Sequence, residues 1–149
     1  MALKAKIQQD MKDAMRGRET LRLESIRLLR AAIQRQEVDS RTELDDTGVL
    51  AVIQKLIKQG QDAAAQFEQG ARPELVAKEL TQIEHFKAYL PAPLGDTELR
   101  EIIDAAIAAS GATGIRDMGA VMAALKSEIQ GRADMAAVSR TVKSVLGAN

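Results

Sequence analysis

Apolar residues recur along this chain at intervals of three and four, the spacing of one face of an α-helix. Leu3, Ile7, Met11 and Ala14 or Met15 form such a stripe and predict a first helix over residues 2–16, which Gly17 interrupts. Leu21, Ser25, Leu28 and Ala32, broadened by Ile26, Leu29 and Ile33, predict a second from about Glu19 to Val38. A third runs to about Gln69 with Leu50, Ile53, Ile57, Ala64 and Phe67 inward, and Asp46 or Thr47 can cap its start. Gly60 lies inside it at a cost of roughly 1 kcal/mol relative to Ala, and Gly70 is placed to end it. Pro73 suits the first turn of a fourth helix, whose stripe is Val76, Leu80, Ile83, Phe86 and Leu90.

The segment Leu90-Pro91-Ala92-Pro93-Leu94-Gly95 breaks the pattern, because two prolines two residues apart cannot sit in a helix interior. It divides the chain into residues 1–93 and 94–149. A fifth helix begins near Asp96 or Thr97, carries Leu99, Ile102, Ile103, Ala106 and Ile107, and closes at Gly111-Ala112-Thr113-Gly114. Two short helices follow, about 117–129 (Val121, Met122, Leu125, Ile129) and 135–146 (Met135, Val138, Val142, Leu146). No segment sustains the period-two alternation of a strand. The expectation is an all-α protein of two helical bundles, about four helices and then three.

Composition agrees with helix packing. Aromatics are 2% of the chain, so the core must be aliphatic. With no cysteine, disulfides, thiolate metal sites and cysteine nucleophiles are excluded. That and the lack of a signal-length apolar run lead to the expectation of a cytoplasmic protein. No stretch approaches the roughly 20 apolar residues of a membrane span, so no membrane partner is expected. Net charge is zero but uneven: residues 1–35 carry a net +5, residues 36–93 a net −4, and residues 94–149 a net −1.

Candidate chemistry is sparse. His85 is the single histidine and lies within the fourth helix, where it reads as a surface or boundary residue. Glu43, Asp45 and Asp46 lack the ligand spacing of a calcium loop and read as a solvated turn with a helix cap. Gly111-Ala112-Thr113-Gly114 lacks the Gly-Lys-Ser/Thr ending of a phosphate loop and reads as a helix stop. The basic residues of the first two helices, among them Arg22, Arg27 and Arg30, admit two readings: an ion-paired solvated surface, or a face for RNA or a protein partner.

The C-terminal stretch Asp117-Met118-Gly119-Ala120-Val121-Met122, Gly131-Arg132-Ala133-Asp134, Val142-Lys143 has a structural reading of its own. Asp117 and Asp134 each precede a helix and can cap it. Gly119 would let another helix or backbone approach, and Gly131 can take the positive φ that ends a helix. Arg132 beside a helix N-terminus suits an anion, or equally a nearby carboxylate such as Asp134.

The same stretch resembles the signature of the GatB/YqeY family. So do Lys12-Asp13-Ala14-Met15-Arg16, Leu21-Arg22-Leu23, Ile26-Arg27-Leu28-Leu29, Ile53-Gln54-Lys55-Leu56-Ile57-Lys58-Gln59 and Tyr89-Leu90-Pro91, which are similar to stand-alone YqeY-like proteins. In the tRNA-dependent amidotransferase, a domain like the last 55 or so residues ends the B subunit and helps hold tRNA, while the chemistry occurs elsewhere. The resemblance therefore implies a non-catalytic accessory that binds tRNA or a tRNA-amidating or aminoacylating enzyme. A label of carbon–nitrogen ligase with glutamine as amido-N-donor would be inherited from larger relatives. The candidate nucleic-acid-binding residues in the matching domain are Arg132, Arg116, Lys126, Arg140 and Lys143; the charge distribution adds Arg22, Arg27 and Arg30 from the basic second helix. Many relatives carry a lysine where this chain has Ala120, and a glycine then a basic residue where it has Met135 and Ala136; the loss of those cations weakens the RNA case. The competing reading is a helical protein–protein interaction module without nucleic-acid binding. An enzyme would need a buried, convergent cluster of titratable groups, which the sequence does not foreshadow. No metal or cofactor is expected.

Overall fold

A computed structural model describes residues 2–148 and is all-α. Among the described residues there are seven α-helices and no strand. They are α1 (Ala2–Arg16), α2 (Thr20–Ser40), α3 (Asp46–Gln69), α4 (Pro73–Lys87), α5 (Asp96–Ser110), α6 (Met118–Ile129) and α7 (Met135–Gly147), with a 3-10 turn at Ile115–Asp117. The chain divides into two compact units, Met1–Leu90 with α1–α4 and Pro91–Asn149 with α5–α7. Residues 91–93, which the sequence assigns to the first domain, lie in the second unit. The Leu94 N–H donates to the Arg132 carbonyl at 2.9 Å and the Arg132 Nε–H to the Ala92 carbonyl at 3.2 Å, so the proline segment is tied to the α6–α7 turn.

In the first unit, Ile7, Ala14, Ile26, Leu29, Ile33, Val49, Ile53, Ile57, Ile83 and Phe86 form one buried cluster. Full burial of such a side chain stabilises by about 1.5–3 kcal/mol, which is what holds helices that would be marginal alone. A Cβ on the buried Gly60 would lie 2.9 Å from Ile83 Cγ1. Glycine there lets α4 press Ile83 against the backbone of α3, which accounts for a residue that intrinsic helix propensity disfavours. Of the alternatives Ala14 and Met15, Ala14 is the buried one and Met15 is exposed. Two expected core positions are corrected: Leu28 and Leu80 are about half-exposed. Leu28 stands roughly 100° around α2 from Leu29, outside the buried arc.

Helix ends also differ from expectation. The cap of α3 is Asp45, which accepts the Gly48 N–H at 2.9 Å, while Asp46 accepts the Leu3 N–H of α1 at 3.2 Å. Gly70 ends α3 at φ −82°, and Ala71 makes the left-handed turn at φ 56°.

In the second unit, Ile103, Val121, Leu125, Ile129, Val138, Val142 and Leu146 form the core. Gly131 takes φ 87° and Asp134 caps α7 by accepting the Ala136 N–H at 3.0 Å, as the sequence predicts. Asp117 does not cap α6; its carboxylate turns back to accept the Thr113 N–H at 2.9 Å. Gly119 is exposed and no atom would lie within 4 Å of a Cβ there, so it does not mark a close approach.

Candidate nucleic-acid interface

Helix α7 is amphipathic in an unusual way. Its inward stripe, Val138, Val142 and Leu146, is buried, and its only charged residues are Arg140 and Lys143. Helical geometry puts Arg140 roughly 160° and Lys143 roughly 100° around from the centre of that stripe, so both stand on the solvent side within one turn of each other. The exposed neighbours Ala136 and Ser144 are small and uncharged. Among the described residues, neither cation makes an ion pair. Arg116 in the 3-10 turn and Lys126 on α6 are likewise exposed without an ion pair. Free cations beside small residues and a hydroxyl are the side chains that contact phosphate oxygens.

Arg132 is placed differently. Its backbone N–H closes the turn on the Ile129 carbonyl at 2.9 Å, and its guanidinium is turned toward the N-terminus of α5. There it donates to the Ala92 carbonyl and lies 3.9 Å from the Glu98 carboxylate. Of its two expected roles, carboxylate pairing is the one the geometry displays, with Glu98 as the partner and not Asp134.

The α2 arginines of the first unit divide in the same way. Arg22 is engaged by Glu19 at 3.0 Å and Asp10 at 3.8 Å. Arg30 donates to Met11 Sδ at 3.0 Å, and Arg27 is exposed and makes no ion pair among the described residues.

The first unit also holds a cluster of titratable groups that sequence reasoning missed. Asp10, Arg22, Glu84, His85 and Tyr89, with Lys6, line a small cavity of about 250 Å³ between α1, α2 and the end of α4. The Tyr89 hydroxyl donates to Asp10 at 2.6 Å, and Lys6 Nζ lies 5.6 Å from the centre of the Tyr89 ring. Burial, and then the hydrogen bond to Asp10, push the Tyr89 hydroxyl well above its ordinary range, so it stays a proton donor. His85 Nδ1 lies 2.9 Å from Oγ of the buried Ser25, whose hydroxyl also donates to the Leu21 carbonyl at 3.0 Å. Asp10 takes up Tyr89 and Arg22, His85 meets Ser25, and Glu84 pairs outside the cavity with Lys87 at 3.6 Å, so these groups act as polar links among three helices. The partners are 79 and 60 residues apart in the chain, too far for spacing rules to connect. Among the described residues no group of three or more His, Cys, Asp or Glu could hold a metal ion, and no helix is long and apolar enough to cross a membrane.

An all-helical chain of two units, with a capped Gly-Arg-Ala-Asp turn leading into a basic helix, defines a class of small helical-bundle proteins. More particularly, the chain belongs to the YqeY-like family: the family model described as Yqey-like protein matches residues 4–146. Its relatives include three fungal proteins named "Altered inheritance of mitochondria protein 41, mitochondrial". That of Pyrenophora tritici-repentis is 31% identical over 147 residues, 96% of this chain and 80% of the relative. That of Kluyveromyces lactis is 35% identical, covering 69% of this chain and 55% of the relative. That of Lachancea thermotolerans is 34% identical, covering 58% and 46%. The chain thus spans about half the length of the last two. These names overturn the expectation of a cytoplasmic protein, since the relatives are named as mitochondrial. The physical reason is that lack of an apolar signal run speaks only to secretion; mitochondrial targeting segments are amphipathic and basic, and a cysteine-free chain suits any compartment.

Proposed function

We propose that the protein is a non-catalytic accessory that binds tRNA through its C-terminal unit, with Arg140 and Lys143 as the principal phosphate contacts. Arg116 and Lys126 add to the same unit's positive surface, and Arg132 supports it by fixing the turn that leads into α7. The observation that carries this reading is a helix with two outward cations, no acid and, among the described residues, no ion pair. A cation already paired within the protein is less available to neutralise a phosphate, whereas a free one can do so and release the counterion condensed there. The family resemblance to the amidotransferase B-subunit tail supports tRNA as the polyanion. The reading assigns the chain no carbon–nitrogen ligase chemistry of its own.

The test is fluorescence anisotropy of labelled tRNA titrated with the full chain across salt concentrations. Binding at low salt that weakens steadily with salt, and that Arg140→Ala and Lys143→Ala each reduce, supports the reading. Absent binding at low salt, or binding indifferent to both substitutions, sinks it.

A further inference from the structure

Helix α2 is apolar on more than its core side. Ser25, Ile26, Leu29 and Ile33 are buried, yet Leu28 is 47% exposed and Val38 67% exposed, with the exposed Ala31 between them. Two open grooves run along this helix. One of about 740 Å³ lies between α1 and α2, and one of about 410 Å³ is lined by α2 residues that include Thr20 and Leu28. They share Arg27 and Ala31 and so flank a ridge of α2 on either side.

Charge along these grooves is lopsided. The carboxylates are paired within the molecule: Glu37 and Glu43 share Lys4 at 2.6 and 3.3 Å, and Glu24 meets Lys78 at 3.1 Å. The arginines are not. Arg27 makes no ion pair among the described residues, and Arg30 meets only the uncharged sulfur of Met11. What remains is an apolar ridge with a small residue at its centre and unneutralised guanidinium groups along it.

We propose that this ridge of α2 docks an acidic amphipathic helix of a partner protein. Ala31 allows two helix axes to approach, Leu28 supplies the apolar anchor, and Arg27 and Arg30 clamp carboxylates on the flanks of the incoming helix. Charge complementarity sets the occupant. A second copy of this chain related by a two-fold axis would bring arginines against arginines. Single-stranded RNA would want aromatic stacking surfaces, and the ridge has none. Docking at this ridge is independent of tRNA binding by the second unit.

The experiment is an amide NMR titration of the labelled full chain with a monomeric helical peptide carrying leucines at helical spacing flanked by glutamates. Its twin with lysines in place of the glutamates is the control, and tRNA is a third titrant. The acidic peptide should shift the Leu28, Ala31 and Val38 signals saturably, and the basic twin should bind about tenfold more weakly or less. Leu28→Glu, a change at an exposed position, should leave the spectrum folded and weaken the acidic peptide by about tenfold. Arg27→Glu should weaken it chiefly at low salt. Equal binding of the two peptides, indifference to Leu28→Glu, or tRNA alone moving these signals would overturn the proposal.

Discussion

The two units handle their charges differently. In the first, acids and bases are interleaved along the same helices and several pair: Lys4 with Glu37 and Glu43, Arg16 with Asp13, Arg22 with Asp10 and Glu19, Arg72 with Glu74, Lys78 with Glu24, Lys87 with Glu84. In the second they are sorted by helix. Helix α5 carries Asp96, Glu98, Glu101 and Asp104 against a single Arg100, whereas α7 carries Arg140 and Lys143 and no acid. A net charge near zero therefore hides different arrangements. The first unit scatters its free cations among acids along several helices; the second is slightly acidic overall and gathers free cations on one helix that carries no acid. Surface potential follows from how charges are placed, not from their sum.

The largest effects expected are in the two cores. Leu125→Ala in the second unit and Ile53→Ala in the first should each cost about 3 kcal/mol, read from denaturant midpoints. Gly60→Ala should destabilise by about 1–3 kcal/mol although alanine is the better helix former, because the new methyl would meet the buried Ile83. A stabilised Gly60→Ala variant would show that α3 and α4 are not closely seated at this point.

Smaller effects sharpen the contrast at the helix starts. Asp134→Ala should cost about 1 kcal/mol, since Asp134 caps α7. Asp117→Ala should cost less, since its carboxylate meets only an exposed loop amide. Equal losses would contradict the assignment of only one of them as a cap.

A smaller effect is a pH dependence at the Lys4–Glu37 pair of the first unit. The hydrogen bond from Lys4, and then that from the Leu44 N–H, hold the Glu37 carboxyl below its ordinary 4.5; the hydrogen bond to Glu37 raises Lys4 above its ordinary 10.5. The Glu37 contribution is complete above 4.5 and is lost as pH falls through its lowered folded value. The Lys4 contribution is complete below 10.5 and is lost as pH rises through its raised folded value. Glu37→Gln should therefore lower the Tm between those limits and converge on the parent protein in strong acid. Arg140→Ala should leave stability unchanged to within about 0.5 kcal/mol at any pH, as a free surface cation should.

Much of the fold was legible because helical periodicity is local. The stripes of Ile7, Ile53, Val121 and Val142 fix their inward faces without knowledge of any neighbour. What failed was decided by neighbours. Leu28 fits the same periodicity as Leu29 but falls just outside the arc that α1, α3 and α4 cover. Asp117 and Asp134 read alike, and only the fold shows that one reaches forward to cap and the other back to Thr113. Gly119 and Gly60 likewise exchange significance, because close approach depends on which helix lies opposite. Within the candidate interface, the sequence could name the cations but not which were free. Arg132, the most prominent in the motif, is held by Glu98 and Ala92, while Arg140 and Lys143 stand open.

The central claim is that the free cations of α7 engage RNA, and the salt dependence of tRNA affinity tests it most directly. Comparing the parent chain with the Arg140→Ala/Lys143→Ala double variant, the slope of log affinity against log salt should flatten by about two units, one for each phosphate that the variant no longer neutralises. An unchanged slope, or no measurable tRNA affinity even at low salt, would contradict it.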